Sequence, residues 1–340
     1  MRFLATALPA CAALSLGASR VPPFPTEPLI DAEMFPFDGA HTEIGFSIRF
    51  MGLTNVRGRF NSFSGTIMYV EKDIARSTVT VSIQAKSIDT GSDWRDNDLR
   101  SPSFFAVDSF PTIFFQSARI EQRPGGFVVW GPLTMRGVTR EIAIPFVVVH
   151  GKMKDAWENT RIGFAGSLRL NRKDYGITGT NFWNSVVDLT RMALADTVEI
   201  ELNIQGRISN FERWSFPARP NTKSLGELMW QTINERGMEA AVAQHAQLKR
   251  DTAAYSTGSL QLNIIGYKLL QRGRIDDAIR VFRLNLEAFP EEGALWDSLA
   301  EAYAANGDRA LAIQHYENAL AMDPHNTGAM EMLRWLTADR

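Results

Sequence analysis

Apolar residues occupy every second position through much of the first 210 residues of the chain. The clearest case is residues 195–208, where Val198, Ile200 and Leu202 alternate with polar residues. Because successive side chains of a strand point to opposite faces, this spacing predicts strands with one buried and one solvent-facing side. The alternation predicts eight strands, at residues 41–50, 57–70, 77–87, 110–121, 126–136, 139–150, 161–171 and 195–208.

The order of these runs predicts an antiparallel, all-β domain. Short connections, such as residues 123–126 and 136–139, are typical of hairpins between neighbouring strands. Each predicted strand has one solvent-facing side, and no helices are predicted between the strands. This combination favours a sandwich or a barrel. An eight-stranded barrel is just wide enough to hold a small ligand. Periodicity alone does not distinguish a hollow barrel from one that is filled by its phenylalanines.

One segment, residues 92–105, interrupts the alternation. It carries five charged residues close together and then the paired rings of Phe104 and Phe105. Ser92 or Asp93 is a suitable first residue for a helix, and Pro102 discourages its continuation. The segment therefore predicts a short helix or an ordered loop that crosses one end of the barrel.

The period of the apolar residues changes to three or four after a linker at residues 209–222. Residues 259–290 and 293–324 align when one is shifted by 34 positions. A 34-residue period of small and bulky residues that ends in proline resembles the tetratricopeptide repeat. Residues 224–251 are interpreted as a degenerate earlier unit, and residues 326–338 as a terminal capping helix.

Composition and motifs narrow the possible chemistry. The net charge of −2 argues against a general nucleic-acid binder, which needs a strong basic excess. The histidines are scattered and there is one cysteine, so we expect no metal, no other cofactor and no disulfide. The chain lacks a nucleophile elbow, a zinc-protease motif and a phosphate-binding loop, so we expect no enzyme activity. Asp38 and His41 can form an acid–base pair, but a hydrogen bond at a strand start is the favoured interpretation.

The first twenty residues have the layout of a secretory signal peptide. Arg2 precedes an apolar run, and small residues follow at 17–19. We therefore expect cleavage near residues 18–20 and a periplasmic or secreted mature protein. Lipidation at Cys11 is the alternative, because the preceding residues loosely resemble a lipoprotein signal. No later stretch is long and apolar enough to predict a transmembrane span.

The first half of the chain resembles the YceI-like family of polyisoprenoid-binding, lipocalin-like envelope proteins, over nearly all of residues 37–208. The resemblance implies a closed antiparallel barrel that holds a long apolar chain, such as an isoprenoid, an isoprenoid quinone or a fatty-acid derivative, and it implies no established catalytic activity. The matching blocks are DGAHTEIGF (38–46), VRGRFNSFSG (56–65), SIDTGSDWRDNDLRSPSFF (87–105), FPTIFFQS (110–117), GPLTMRGVTREI (131–142) and RIGFAGSLRLNRKDYGI (161–177).

The candidate ligand-binding residues follow from the alternation and from this resemblance. Arg95 and Arg100 are the candidate polar rim, where they would meet a phosphate or carbonyl of the ligand. The alternative is that the charged residues of this segment pair with one another and that Phe104 and Phe105 plug the barrel end. The candidate apolar lining is Phe46, Ile48, Phe50, Phe60, Phe63, Phe104, Phe105, Phe115 and Phe164.

The sequence therefore predicts a multidomain protein. An all-β, eight-stranded antiparallel, lipocalin-like barrel (35–208) follows the signal peptide (1–20), and an all-α, tetratricopeptide-like helical repeat domain (223–338) follows the linker. We expect the barrel to bind a lipid and the repeats to bind a protein partner or a second copy of the chain. The alternatives are an interaction scaffold with a solid, ligand-free barrel and a lipid-modifying enzyme.

Overall fold

The computed structural model describes residues 31–188 and 191–338. The predicted signal peptide, including Cys11, lies outside these residues. The strands and the first helix are β1 Glu33–Pro36, β2 Glu43–Phe50, β3 Thr54–Phe60, β4 Phe63–Tyr69, β5 Thr78–Gln84, β6 Ile88–Asp89, α1 Asp93–Arg100, β7 Thr112–Gln116, β8 Arg119–Arg123, β9 Gly126–Met135, β10 Val138–Lys154, β11 Thr160–Asn171, β12 Val186–Asp188, β13 Arg191–Met192 and β14 Leu194–Ile208.

Twelve of these strands form one curled antiparallel sheet. Eight of them are halves of four longer, bent strands: β1 with β2, β3 with β4, β5 with β6 and β7 with β8. On one side of β3 and β4, β2 pairs with β3 and β1 pairs with β4; on the other side, β6 pairs with β3 and β5 pairs with β4. Both β7 and β8 pair with β9. With each bent pair counted once, eight strands follow one another in chain order. The eighth, β14, pairs with β2 and is bridged to Phe37, which closes the sheet. The predicted eight-stranded antiparallel barrel is confirmed.

The two ends of the barrel differ in what covers them. Because neighbouring strands alternate in direction, the β2–β3 and β9–β10 hairpins, α1 and residues 172–188 and 191–193 all lie at one end, which we call the α1 end. The β10–β11 hairpin and the start of the linker after β14 lie at the opposite end, which we call the linker end. The predicted short helix at residues 92–105 is thus α1, and it lies at one end of the barrel.

The second half of the described chain is helical. Its helices form antiparallel pairs, α2 with α3, α4 with α5 and α6 with α7, and α8 packs on α7. No helix within residues 31–188 and 191–338 has both the length and the apolar character needed to cross a bilayer. The elements are β15 Lys223–Ser224, α2 Leu225–Arg236, α3 Met238–Leu248, β16 Tyr255–Ser256, α4 Ser259–Gln271, α5 Ile275–Ala288, α6 Gly293–Asn306, α7 Arg309–Met322 and α8 Thr327–Thr337.

The helical repeats pack against the outer wall of the barrel. Helix α8 lies on β4 and β5, and the outward-facing Met68 and Val70 of the barrel belong to the apolar core of the helical domain. In the linker, the ring of Phe211 stacks on Tyr267 of α4, with ring centroids 4.4 Å apart. The predicted combination of a barrel with helical repeats is confirmed, and the two parts share one apolar core at their contact.

Candidate functional site

The barrel is hollow. Inward-facing side chains of β5 and β14, such as Val79, Val81 and Ile200, remain partly exposed although they point away from bulk solvent. A packed interior would leave such side chains almost no accessible surface. The space that they face consists of two chambers, and we call these the inner chamber and the mouth chamber.

The inner chamber has a volume of about 200 Å³. Aliphatic and aromatic side chains from strands all around the barrel form its wall. Ser77 and Thr78 also border the chamber and carry aliphatic hydroxyl groups. No charged side chain borders it in the described part of the chain. The inner chamber is therefore suited to hydrocarbon and unsuited to an ionic group.

The mouth chamber lies at the α1 end and has a volume of about 240 Å³. Phe60, Met135, Leu170 and Ile200 border both chambers, so the two spaces meet at these side chains. Unlike the inner chamber, the mouth chamber has charged groups in its wall, from Arg95, Asp98 and Arg172. The cavity thus runs from an apolar interior to a mixed apolar and polar mouth.

Hydrogen bonds to Thr90, three residues before the helix begins, fix α1 over the mouth. The buried carboxylate of Asp96 accepts hydrogen bonds from the backbone N–H of Thr90 at 3.0 Å and from its hydroxyl at 2.5 Å. Arg95 donates to the Thr90 hydroxyl at 2.7 Å and to the Thr90 carbonyl at 2.8 Å. The charged residues of this segment therefore hold the helix in place, and Arg95 also borders the mouth chamber.

Arg100 has a different position from Arg95. Its guanidinium donates to the backbone carbonyls of Lys86 and Ile88, both at 2.8 Å. It ties the end of α1 to the chain around β6 and lies outside the wall of both chambers. Of the two arginines predicted to form the polar rim, Arg95 therefore borders the mouth chamber, whereas Arg100 is bonded to backbone carbonyls away from it.

The paired rings after α1 point into the barrel end. Phe104 is buried, and Phe105 meets Phe60 edge to face with ring centroids 6.0 Å apart. A side chain at Gly179 would come within 2.7 Å of the Phe104 ring, so glycine lets the backbone at this position pass closely over the ring. The rings narrow the mouth without filling the chamber, because both of them form part of its wall.

Most of the predicted apolar lining residues border the cavity. Phe46, Ile48, Phe50, Phe104 and Phe105 border the mouth chamber, Phe115 and Phe164 border the inner chamber, and Phe60 borders both. Phe63 packs in the same apolar cluster, outside the wall of either chamber.

The sequence analysis did not single out Arg172, which borders the mouth chamber and is buried. It donates to the carbonyls of Ala195, Ile177 and Thr178 at 2.6–2.9 Å. Burial lowers the pKa of its guanidinium, and the nearby Asp196 partly offsets this. No local sequence signal marks this residue, because the carbonyls that hold it come from a loop and a strand that fold back over it.

Asp38 and His41 form the hydrogen bond expected at a strand start, with His41 Nδ1 3.0 Å from the Asp38 carboxylate. The same carboxylate also accepts a hydrogen bond from Arg161 at 2.6 Å. The pair lies outside the wall of both chambers. Its bonds join the start of the barrel to β11, which is a structural arrangement.

Comparison with known proteins identifies the family of the barrel. The model of the YceI-like domain matches residues 35–206, and a UPF0312 protein of Vibrio parahaemolyticus is 33% identical over 205 residues, which cover 60% of this chain and 96% of that protein. The chain belongs to the YceI-like family. A tetratricopeptide repeat model also matches, at residues 293–333. The resemblances to both families that the sequence indicated are confirmed.

Solved structures similar to this family member cover about half of its length. The YceI protein of Campylobacter jejuni is 24% identical, with a TM-score of 0.40, and the match covers 51% of this chain and 96% of that one. A polyisoprenoid binding domain from Saccharophagus degradans is 15% identical, with a TM-score of 0.38, and the match covers 52% of this chain and 98% of that one.

Proposed function

We propose that the barrel binds a lipid with one long apolar chain, such as an isoprenoid, an isoprenoid quinone or a fatty-acid derivative. The observation that carries this proposal is the connected, hollow interior, which among the described residues has charged groups only at its mouth. The hydrocarbon would occupy the inner chamber, and a polar headgroup would lie near Arg95 and Asp98. The proposal is one of binding and involves no chemical step.

The energetics favour such a ligand. Moving a hydrocarbon chain out of water is favourable by about 0.8 kcal/mol for each buried methylene. Taken together, the two chambers fall within the range of roughly 300–1,000 Å³ that is usual for sites that bind small molecules. A solid barrel that only supports the repeats would not leave inward-facing residues such as Val81 partly exposed.

We further propose that the protein acts in the periplasm or after secretion, and that its repeats contact a partner protein or a second copy of the chain. The layout of residues 1–20 supports the first part. Repeats of this kind present extended surfaces for binding, which supports the second part. Fractionation of cells, together with the intact mass of the mature chain, tests the location.

Native mass spectrometry of the protein purified from its own cellular compartment, before and after solvent extraction, tests the lipid. We expect an added mass that extraction removes and that fragments as a prenyl or acyl chain. The variant Ile200→Trp places a large ring where the two chambers meet, so it should lose most of this added mass while the protein stays folded.

The matched control is Thr197→Trp, which adds the same ring on an exposed position of the same strand. This variant should keep the added mass of the parent protein. A parent protein without any extractable ligand, and without uptake of offered isoprenoids or fatty acids, would contradict the proposed function. An added mass that Ile200→Trp leaves unchanged would show that the ligand binds elsewhere.

A further inference from the structure

Three large apolar side chains are exposed at the α1 end of the barrel. Leu53 in the β2–β3 hairpin is 67% exposed, Trp94 in α1 is 72% exposed, and Phe182 in the turn Asn181–Asn184 is 58% exposed. They come from three separate elements that the barrel topology brings to the same end. We call these three residues the apolar rim.

The apolar rim is continuous with the cavity. Trp94 borders the mouth chamber itself. Phe182 packs on Trp183 with ring centroids 4.9 Å apart, and Trp183, which borders the mouth chamber, lies 6.2 Å from Phe50 by ring centroids. A hydrocarbon that leaves the mouth chamber at this end therefore meets exposed apolar side chains before it meets water.

Two exposed arginines lie behind the tip of the β2–β3 hairpin. Arg49 on β2 and Arg57 on β3 flank the tip residue Leu53, and both are on the outer wall, because the alternate residues Ile48 and Val56 border the cavity. This order, with an apolar tip and cations a few residues behind it, matches the depth profile of a phospholipid surface, where anionic phosphates lie above the acyl chains.

Within the described residues, the helical domain contacts the barrel away from the α1 end. Helix α8 contacts β4 and β5 on the side of the barrel, and the linker starts at the linker end. Exposed large apolar side chains cost solubility, so three of them around the mouth of an apolar cavity indicate a surface that is covered in function.

We propose that the apolar rim docks on the surface of a phospholipid bilayer, with the mouth of the cavity facing the membrane. Leu53, Trp94 and Phe182 would insert among the headgroups, where aromatic side chains are favoured, and Arg49 and Arg57 would meet phosphates. A fluid bilayer can accommodate the three side chains of the apolar rim although they lie on separate elements, because its lipids rearrange around them. The inference deepens the proposed function, since a lipid could then pass between bilayer and barrel without crossing water.

Flotation of the full chain with vesicles of phosphatidylethanolamine and phosphatidylglycerol tests this docking. The variant Leu53→Ser/Phe182→Ser removes two of the tips, neither of which borders a chamber. We expect its fraction on vesicles to fall by about tenfold, because two apolar side chains no longer leave water. The matched control is Trp157→Ser in the β10–β11 hairpin at the linker end, where Trp157 is 65% exposed. It should float like the parent protein.

A fluorescent probe gives a reading at single positions, so that vesicle binding by another part of the chain is not mistaken for docking. In a Cys11→Ser background, an environment-sensitive dye on Leu53→Cys should shift to the blue when vesicles are added, and the same dye on Trp157→Cys should not. The proposal is overturned if the parent protein does not bind vesicles, if the double variant binds as the parent does, or if the dye at position 53 stays in water.

One further measurement distinguishes docking on the bilayer from binding of a lipid inside the barrel. The double variant should keep the extractable lipid of the parent, because the cavity wall is intact. A double variant that binds vesicles normally but has lost its lipid would overturn the docking inference. A parent protein that docks through the apolar rim and carries no lipid would leave docking intact and contradict the proposed function instead.

Discussion

A buried ion network around Asp38 shows how single residues stabilise the linker end of the barrel. Asp38 is 4% exposed, and its carboxylate accepts a hydrogen bond from Arg161, which also donates to Asp155 at 2.6 Å. Burial alone would raise the pKa of Asp38, but hydrogen bonds from Arg161 and His41 and the charge of Arg207 lower it below the ordinary value. The charged form of Asp38 is therefore the stable one in the folded protein.

We predict that Asp38→Ala lowers the free energy of unfolding by about 3 kcal/mol at pH 7, because it leaves the half-buried Arg161 short of one partner. Denaturation in urea measures this loss. The control is Asp108→Ala, which removes an exposed carboxylate and should cost less than about 0.5 kcal/mol. A loss no larger than that of the control would show that the network contributes no net stability.

The lowered pKa of Asp38 predicts that the loss of stability in Asp38→Ala depends on pH. Since the pKa of Asp38 is lower in the folded state than in the unfolded state, its contribution is complete above the unfolded value, near pH 4, and disappears as the pH falls through the folded value. The difference between parent and Asp38→Ala should therefore shrink below about pH 4. A difference that is constant from pH 7 to pH 3 would contradict the assignment to this carboxylate.

The sequence predicted residues facing the cavity better than it predicted polar contacts. Alternation alone fixes which face of β2 carries Phe46, Ile48 and Phe50, because a strand has only two faces. It does not decide whether Arg100 or Arg95 faces the cavity, since each guanidinium takes the nearest carbonyls and hydroxyls that the fold supplies. Whether the barrel is hollow also escapes local patterns, because it depends on side chains that meet across the barrel.

At the scale of elements, the close approach of α4 and α5 depends on one glycine. A side chain at Gly266 would place its first carbon 2.3 Å from the Phe282 ring, and this ring is almost fully buried. The missing side chain lets the two helices of this repeat unit pack with Phe282 directly on the backbone of α4. The alignment at a shift of 34 places Ala300 at the matching position of α6, so a small residue recurs there.

We predict that Gly266→Ala destabilises the helical domain, although alanine favours a helix over glycine by about 1 kcal/mol. Forcing a buried ring to move in a packed interface costs roughly 1–3 kcal/mol, so the steric cost should exceed the gain in propensity. Thermal unfolding followed by circular dichroism at 222 nm measures the net effect.

The control for this prediction is Gly39→Ala, in the exposed turn between β1 and β2, where an added carbon meets nothing within 4 Å. It should be neutral or slightly stabilising. A second variant, Gly266→Ala with Phe282→Leu, should recover part of the loss because the smaller side chain makes room. Equal stability of Gly266→Ala and the parent would mean that the ring moves aside at no cost.

The order of the long strands was predictable from the sequence, but the bends that divide them and short strands such as β1 and β6 were not. The predicted strand at 57–70 is in fact β3 and β4, which join at a bend, and the strand at 110–121 is β7 and β8. The alternation shifts by one residue at each bend. Phe60 of β3 and Ile67 of β4 both face the cavity although they are an odd number of positions apart, and the same holds for Phe115 of β7 and Ile120 of β8. Each predicted strand was drawn across such a shift, because the halves on either side keep the same period. A bend is required by closure of the barrel, which is a property of the whole sheet.

At the scale of the whole molecule, α8 joins the barrel to the repeats through a buried carboxylate. Glu331 is 0% exposed and accepts hydrogen bonds from the hydroxyls of Thr78 and Thr80 on β5, the second at 2.5 Å. Trp335, one turn further along α8, donates to the Thr78 hydroxyl at 2.9 Å. The other face of β5 borders the inner chamber through Val79 and Val81, so a single strand separates the helical domain from the cavity.

We predict that the barrel and the repeats unfold in one cooperative transition, and that Glu331→Ala lowers its midpoint for both parts together. Removing the carboxylate leaves the buried hydroxyl of Thr80 and the partly buried hydroxyl of Thr78 without this acceptor, at a cost of about 1–3 kcal/mol. Because Met68 and Val70 of the barrel belong to the helical core, neither part keeps its packing when the other is lost. Scanning calorimetry tests both statements, together with the helical signal at 222 nm and the hydrogen exchange of peptides from β9, β10 and β11, which reports on the barrel alone.

The matched control is Glu317→Ala, which removes an exposed carboxylate from α7 and should leave the midpoint unchanged. Two separate transitions, or a loss in Glu331→Ala that is confined to the helical signal, would mean that the two domains fold independently and that α8 only rests on the barrel wall.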